Sequence, residues 1–240
     1  MNSRLLALLC LGAFALRIVH ASRGPVPSVD GSHYLAMAEA LAGLDLEGAL
    51  RCVFHPGKSI LLAPLLGLGI EPLWAARVEG ALTGACTVYL VYRSSECFGS
   101  RRAALVSAAL LALSFHGVRL VSGAQSETVY LALAALAVLS CQRGRVRAAG
   151  LAIGLAFWAR PEALALCPLL FLKPSSGRRI LGSLALALAV AGLYPLLRLL
   201  LLNELGLTPK VAFMAPMGPL GEAGIRDALH ERLTGMGDLE

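Results

Sequence analysis

Eight side chains of types that move protons or hold anions recur at the ends of apolar stretches: Asp30, Tyr34, His55, Lys58, Arg77, Glu127, Arg160 and Glu162. Carboxylates at such places can take a proton from a hydroxyl or orient one. Lysine and arginine offer charge to a phosphate, the first as a point charge and the second as a planar fork. An ionisable group at membrane depth costs several kcal/mol unless it faces a cavity or a partner, so by default it marks a functional site.

Each of these residues has a plainer reading beside the chemical one. Asp30, in Ser28-Val29-Asp30-Gly31-Ser32-His33-Tyr34, reads equally as the N-cap of a following helix and as a positioned base. His55-Pro56-Gly57-Lys58 reads as a polar turn tethering an apolar helix to headgroups, or as a cationic contact to a phosphate. Arg77 either snorkels to the surface or faces the same cavity as Asp30. Glu79 lies two residues further on, a spacing that points the two side chains apart on a helix. Ser126-Glu127 reads as a helix start or as a second carboxylate beside Asp30. Arg160-Pro161-Glu162 reads as a local ion pair or as a phosphate ligand, with the proline opening a new helix.

The stretches that must position these groups are strongly apolar. The chain of 240 residues is 57% hydrophobic and 6% aromatic, and its mean hydropathy is +0.72. These figures lie outside the range of soluble domains. The net charge of +6 is dispersed in short turns with few aromatics, so no nucleic-acid groove is read. The six cysteines have no paired spacing, which leaves neither a disulfide framework nor a zinc site. No metal or other cofactor is indicated. The segment after Met1 has the build of a secretory signal, but Arg17 interrupts it before a good cleavage site, and it reads as a retained first helix.

A helix needs about 20 residues to cross the bilayer core. Residues 4–22, 72–93, 103–121 and 180–202 meet that length, while 128–141, 148–159 and 163–172 are marginal. Between the first two spans lies a first external loop, 23–58, in which residues 30–44 alternate with helical period as an interfacial helix; residues 59–70, short and broken by Pro64, read as a second interfacial or re-entrant helix. The basic turns Arg93/Arg101/Arg102, Arg143/Arg145/Arg147 and Lys173/Arg178/Arg179 fall on one side together with Arg4, and that side is assigned to the cytoplasm. The expectation is an all-α, polytopic transmembrane bundle of about seven helices over residues 1–202. An external polar tail follows at 203–240.

In this order the motifs resemble the N-terminal module of the GT-C membrane glycosyltransferases. The most similar branch is family 39, the protein O-mannosyltransferase and aminoarabinose lipid A transferase type. The resemblance rests on Arg17 at the end of the first span, Asp30-x-x-x-Tyr34, His55-Pro56, Ala75-Ala76-Arg77, the run from Phe98 to Ala104, Ser126-Glu127 and Arg160-Pro161-Glu162. It covers residues 4–172 or so. It implies an inverting enzyme in a bacterial or archaeal inner membrane, N-terminus cytoplasmic, that moves a sugar from a polyprenyl-phosphate donor to an outer-side lipid, glycan or protein acceptor. Asp30 and Glu127 would be the catalytic carboxylates. Tyr34, His55, Lys58, Arg77, Arg160 and Glu162 would bind substrate, with His55, Lys58 and Arg160 neutralising the departing phosphate. Membrane lipids and a partner subunit are further expected partners. Relatives continue through more spans, so a truncated or non-catalytic partner subunit is the alternative, followed by a lipid or solute transporter.

Overall fold

The computed structural model describes residues 2–24, 28–52, 54–171 and 176–204, and within these all regular structure is helical. The expected tail at 203–240 lies almost wholly outside the described residues. Ten α-helices and one 3₁₀ segment follow in chain order: α1 Asn2–Arg23, α2 Val29–Ala42, α3 Leu46–Leu50, α4 Gly57–Gly67, α5 Pro72–Ser95, α6 Arg101–Ala112, α7 Phe115–Ser122, α8 Glu127–Gln142, α9 Val146–Ala159, the 3₁₀ segment Pro161–Phe171, and α10 Gly177–Leu202.

Among the described residues two helices are long and apolar enough to cross a membrane, the part of α1 from Arg4 to Arg23 and all of α10. A third span exists if α6 and α7, bent by 44° at their junction, count as one. Leucines of α1 and α10 stand exposed along much of their lengths, among them Leu5, Leu8, Leu11, Leu181, Leu188 and Leu200. Apolar surface of that extent is foreign to a water-facing monomer and normal against lipid. Helix α5 has the length, 24 residues, but carries Arg77 and Glu79 and falls short in apolarity. Helices α8 and α9, with 16 and 14 residues, reach about 24 and 21 Å at 1.5 Å per residue, less than the roughly 30 Å core. The 3₁₀ segment replaces the expected short α-helix over 163–172. Its 11 residues rise about 2.0 Å each, so it reaches about 22 Å with less chain.

The long elements stand in a row, α1 against α5, α5 against α8, α8 against α9 and α9 against α10. Between α9 and α10 the seam is tight: a Cβ at Gly150 would run into the Ser183 carbonyl, and one at Gly154 would lie 2.8 Å from Ala187 O. Small residues let helix backbones approach closely where lipid supplies no hydrophobic drive between them. Helices α2 and α4 pack on each other and cap one end of this row, α4 touching both α5 and α9.

The break between α6 and α7 falls where the sequence predicts an unbroken span. Its loose carbonyls are taken up by Arg17, which is 2% exposed in the middle of α1. Arg17 donates to the carbonyls of Ala13 (3.0 Å), Ala112 (3.3 Å) and Leu111 (3.4 Å). A helix end leaves carbonyls without partners, and a buried guanidinium with five donors satisfies them. Gly84 of α5 makes the space: a Cβ there would lie 2.5 Å from Arg17 Nε.

Candidate functional site

The end of the row capped by α2 and α4 brings together residues from four separate parts of the sequence. Asp30, Tyr34, Phe54, His55, Ser126, Glu127, Arg160 and Glu162 line one pocket of about 80 Å³. The volume is small against the several hundred Å³ of a complete ligand site. It is room for a reacting group and its immediate surroundings, with anything larger lying across its mouth.

The first wall is α2. Its N-cap is Ser28, whose Oγ accepts from Gly31 N at 3.0 Å and donates to Gly123 O at 2.8 Å. The cap reading of Asp30 is therefore corrected: Ser28 does that work and fastens α2 to the 123–127 segment. Asp30 sits in the first turn, where the helix dipole favours a carboxylate. Tyr34, one turn further on and buried, donates its hydroxyl to Ser126 Oγ at 3.0 Å. Burial pushes the Tyr34 phenol up to about 12, against the Ser126 hydrogen bond that pulls it down. The phenol is a fixed donor and not a base.

The second wall is the 54–57 turn. His55 is buried, its ring 5.2 Å from Phe157 edge-on and 4.9 Å from Tyr194. A ring packed among aromatics borders the pocket as a shaped polar edge, less as the exposed cation the sequence suggested. The turn is pressed onto the end of α9: a Cβ at Gly57 would fall 2.6 Å from Ala159 N. Only glycine allows that approach without a shift of one backbone, and it sets His55 beside Arg160. From the other side Arg198 of α10, 5% exposed, donates to the carbonyls of Leu50 and Cys52 and pairs with Glu204 at 2.5 Å. Sequence reasoning missed this clamp; its signal was an arginine inside a leucine-rich helix.

The third wall joins α8 to the 3₁₀ segment. Arg160 Nη1 donates to Glu127 Oε1, and its Nε and Nη2 reach the Glu162 carboxylate at 3.4 and 3.3 Å. The backbone at Arg160 is extended and so turns the chain out of α9. Burial raises Glu162, but the hydrogen bonds from Arg160 and from its own backbone outweigh it and hold the carboxyl below the usual range. The ion-pair reading of Arg160 thus holds, and with a partner 33 residues away as well as a local one.

Two expected substrate contacts lie elsewhere. Lys58 is fully buried and pairs with Glu79 of α5 at 2.5 Å, so it offers nothing to a phosphate at the pocket. The buried ammonium is compensated there by the Glu79 carboxylate. Arg77 points to the end of α1, reaching Gly24 O at 3.5 Å and lying over the Trp74 ring at 5.0 Å. Glu79 and Arg77 point apart, as their spacing requires.

What remains at the pocket is three carboxylates, Asp30, Glu127 and Glu162, against one guanidinium already engaged by two of them. Such a corner attracts a hydroxyl or an amine. Among the described residues no group of three His, Cys, Asp or Glu side chains is placed to hold a metal ion. Next to the pocket, an apolar cleft of about 260 Å³ opens between Gly57, Ile60 and Leu61 on one side and Val129, Leu133, Leu155 and Trp158 on the other. No family model, curated protein or solved structure matches this chain.

Proposed function

We propose that the chain is a membrane glycosyltransferase that moves a sugar from a polyprenyl-phosphate carrier to a hydroxyl presented at one membrane face. The observation that supports this most is the meeting of Asp30 with Glu127 and its Arg160 clamp around one pocket, from segments up to 130 residues apart. The apolar cleft beside that pocket suits a lipid chain. In this reading the row of helices crosses the membrane about seven times. The shorter elements gain from thinning or from burial in the bundle. The N-terminus then faces the cytoplasm and the pocket opens on the outer side of a cell inner membrane.

The residues take defined parts in that reaction. Asp30 accepts the proton of the acceptor hydroxyl as its oxygen bonds to the anomeric carbon. The bond from that carbon to the carrier phosphate breaks, and the phosphate leaves with the electron pair. Attack from the face opposite the leaving group inverts the anomeric configuration. Glu127, held by Arg160, aligns the hydroxyl, and the Tyr34–Ser126 bond keeps the α2 wall against α8. The test is a panel of polyprenyl-phosphate sugars offered to the purified chain, with Asp30→Asn beside wild type. Since Ser28 caps α2, the variant should fold normally and lose about 10²–10⁴ in turnover. A responsive donor that Asp30→Asn transfers at the wild-type rate ends the assignment.

A further inference from the structure

Where the negative charge of a phosphate would be held is answered by a second cavity. On the far side of the Ser28–Gly123 fastening, a space of about 660 Å³ is lined by His20 and Arg23 of α1 and by His116 and Arg119 of α7, with Phe115 and Gln125 between them. Among the described residues no carboxylate lines it. The bias runs through the whole sequence around it, since no acidic residue precedes Asp30 and none lies between Arg101 and Glu127. His20 is half-buried, while Arg23, His116 and Arg119 are exposed toward the opening. His20 and Arg23 lie in the last turn of α1, away from Arg4, and His116 and Arg119 lie in α7, beyond the break that separates it from Arg101 and Arg102. The charge bias of membrane proteins concentrates arginine at one side only, and this cluster lies at the other.

We propose that this cavity is a binding site for a phosphate-bearing group. Two guanidiniums from different helices can grip phosphate oxygens in a forked manner, and the two imidazoles add donors around the same space. The assignment goes beyond the transferase reading and does not need it. It also adds cationic groups that the carboxylate pocket lacks: Lys58 is buried against Glu79, and Arg160 is shared by two glutamates. Ser28 and Gly123, hydrogen-bonded to each other, line the cavity together with Gln125, so an anion in it would lie against the 123–127 segment that carries Glu127.

The experiment uses the whole chain in nanodiscs of zwitterionic phosphatidylcholine and radiolabelled pyrophosphate as the probe. Saturable binding is expected. It should weaken about tenfold or more in Arg23→Gln/Arg119→Gln, since each charged contact is worth at least a factor of that order. Arg23→Lys/Arg119→Lys should recover part of it, and Asp30→Asn should bind as wild type, which separates this site from the fate of the transferase reading. Both glutamine changes fall on exposed side chains, so folding is not at stake. Equal binding by wild type and the glutamine pair, or no saturable binding by wild type, overturns the site. In nanodiscs with phosphatidylglycerol mixed in, displacement of pyrophosphate upholds the site with a lipid phosphate as its occupant. Persistence upholds it with a soluble phosphorylated compound.

Discussion

Two ion pairs between a cation and a glutamate sit at the same end of the molecule and differ in their access to water. Lys58–Glu79 has side chains 1% and 5% exposed, at a contact of 2.5 Å. Arg160–Glu127 is 32% exposed on each side and opens on the pocket. The dry pair ties α4 to α5, and breaking it strands a charge in a place that cannot solvate it. The wet pair can trade partners, because either member can turn to a ligand at modest cost. One pair therefore builds the end of the molecule, and the other is free to act on what arrives there.

That contrast is tested first where its effect is largest. Lys58→Ala leaves Glu79 buried and unpaired and should cost about 3–5 kcal/mol of stability. Thermal unfolding in detergent should show it as a large loss of folded protein, with turnover per folded molecule unchanged. Replacing both members, Lys58→Met with Glu79→Gln, should recover most of the loss; a double variant as poor as the single one breaks the argument. Glu127→Gln reverses the pattern. Its folded yield should match wild type while turnover falls about 10–10²-fold, as for a misaligned reactant. If yield and turnover fall together, Glu127 belongs with the structural pair. The smallest effect is expected at Tyr34→Phe. Loss of its bond to Ser126 costs about 0.5–1.5 kcal/mol. Because the phenol stays protonated to about pH 12, the variant should keep the shape of the wild-type pH–rate profile up to about pH 10.

Sequence made the helices and much of the pocket legible, because hydropathy and turn chemistry are local. Residues 30–44, 59–70, 72–93 and 180–202 appear as α2, α4, α5 and α10 with shifts of a few residues. Asp30, Tyr34, His55, Glu127, Arg160 and Glu162 were singled out by type and position, and they share one pocket. Partner choice was not legible. Nothing near Lys58 says that Glu79 waits 21 residues on. Nor does the periodicity of 103–121 show that it breaks after Ala112, since the group that satisfies the break belongs to another helix. Capping was misjudged for a simpler reason. Ser28 and Asp30 are both good caps, and the choice depends on where α2 meets Gly123.

The Arg17 anchor has a consequence in time. Ribosomes deliver Arg17 about 95 residues before Ala112. At about 5–20 residues per second the interval is on the order of 5 to 20 seconds. Throughout it, the guanidinium of the nascent first helix has its own Ala13 carbonyl but not those of Leu111 and Ala112. In a membrane that half-satisfied cation holds α1 near the interface or in the insertion machinery until the 101–122 segment emerges. The first helix made thus settles only after a segment that arrives five helices later, α6, has emerged.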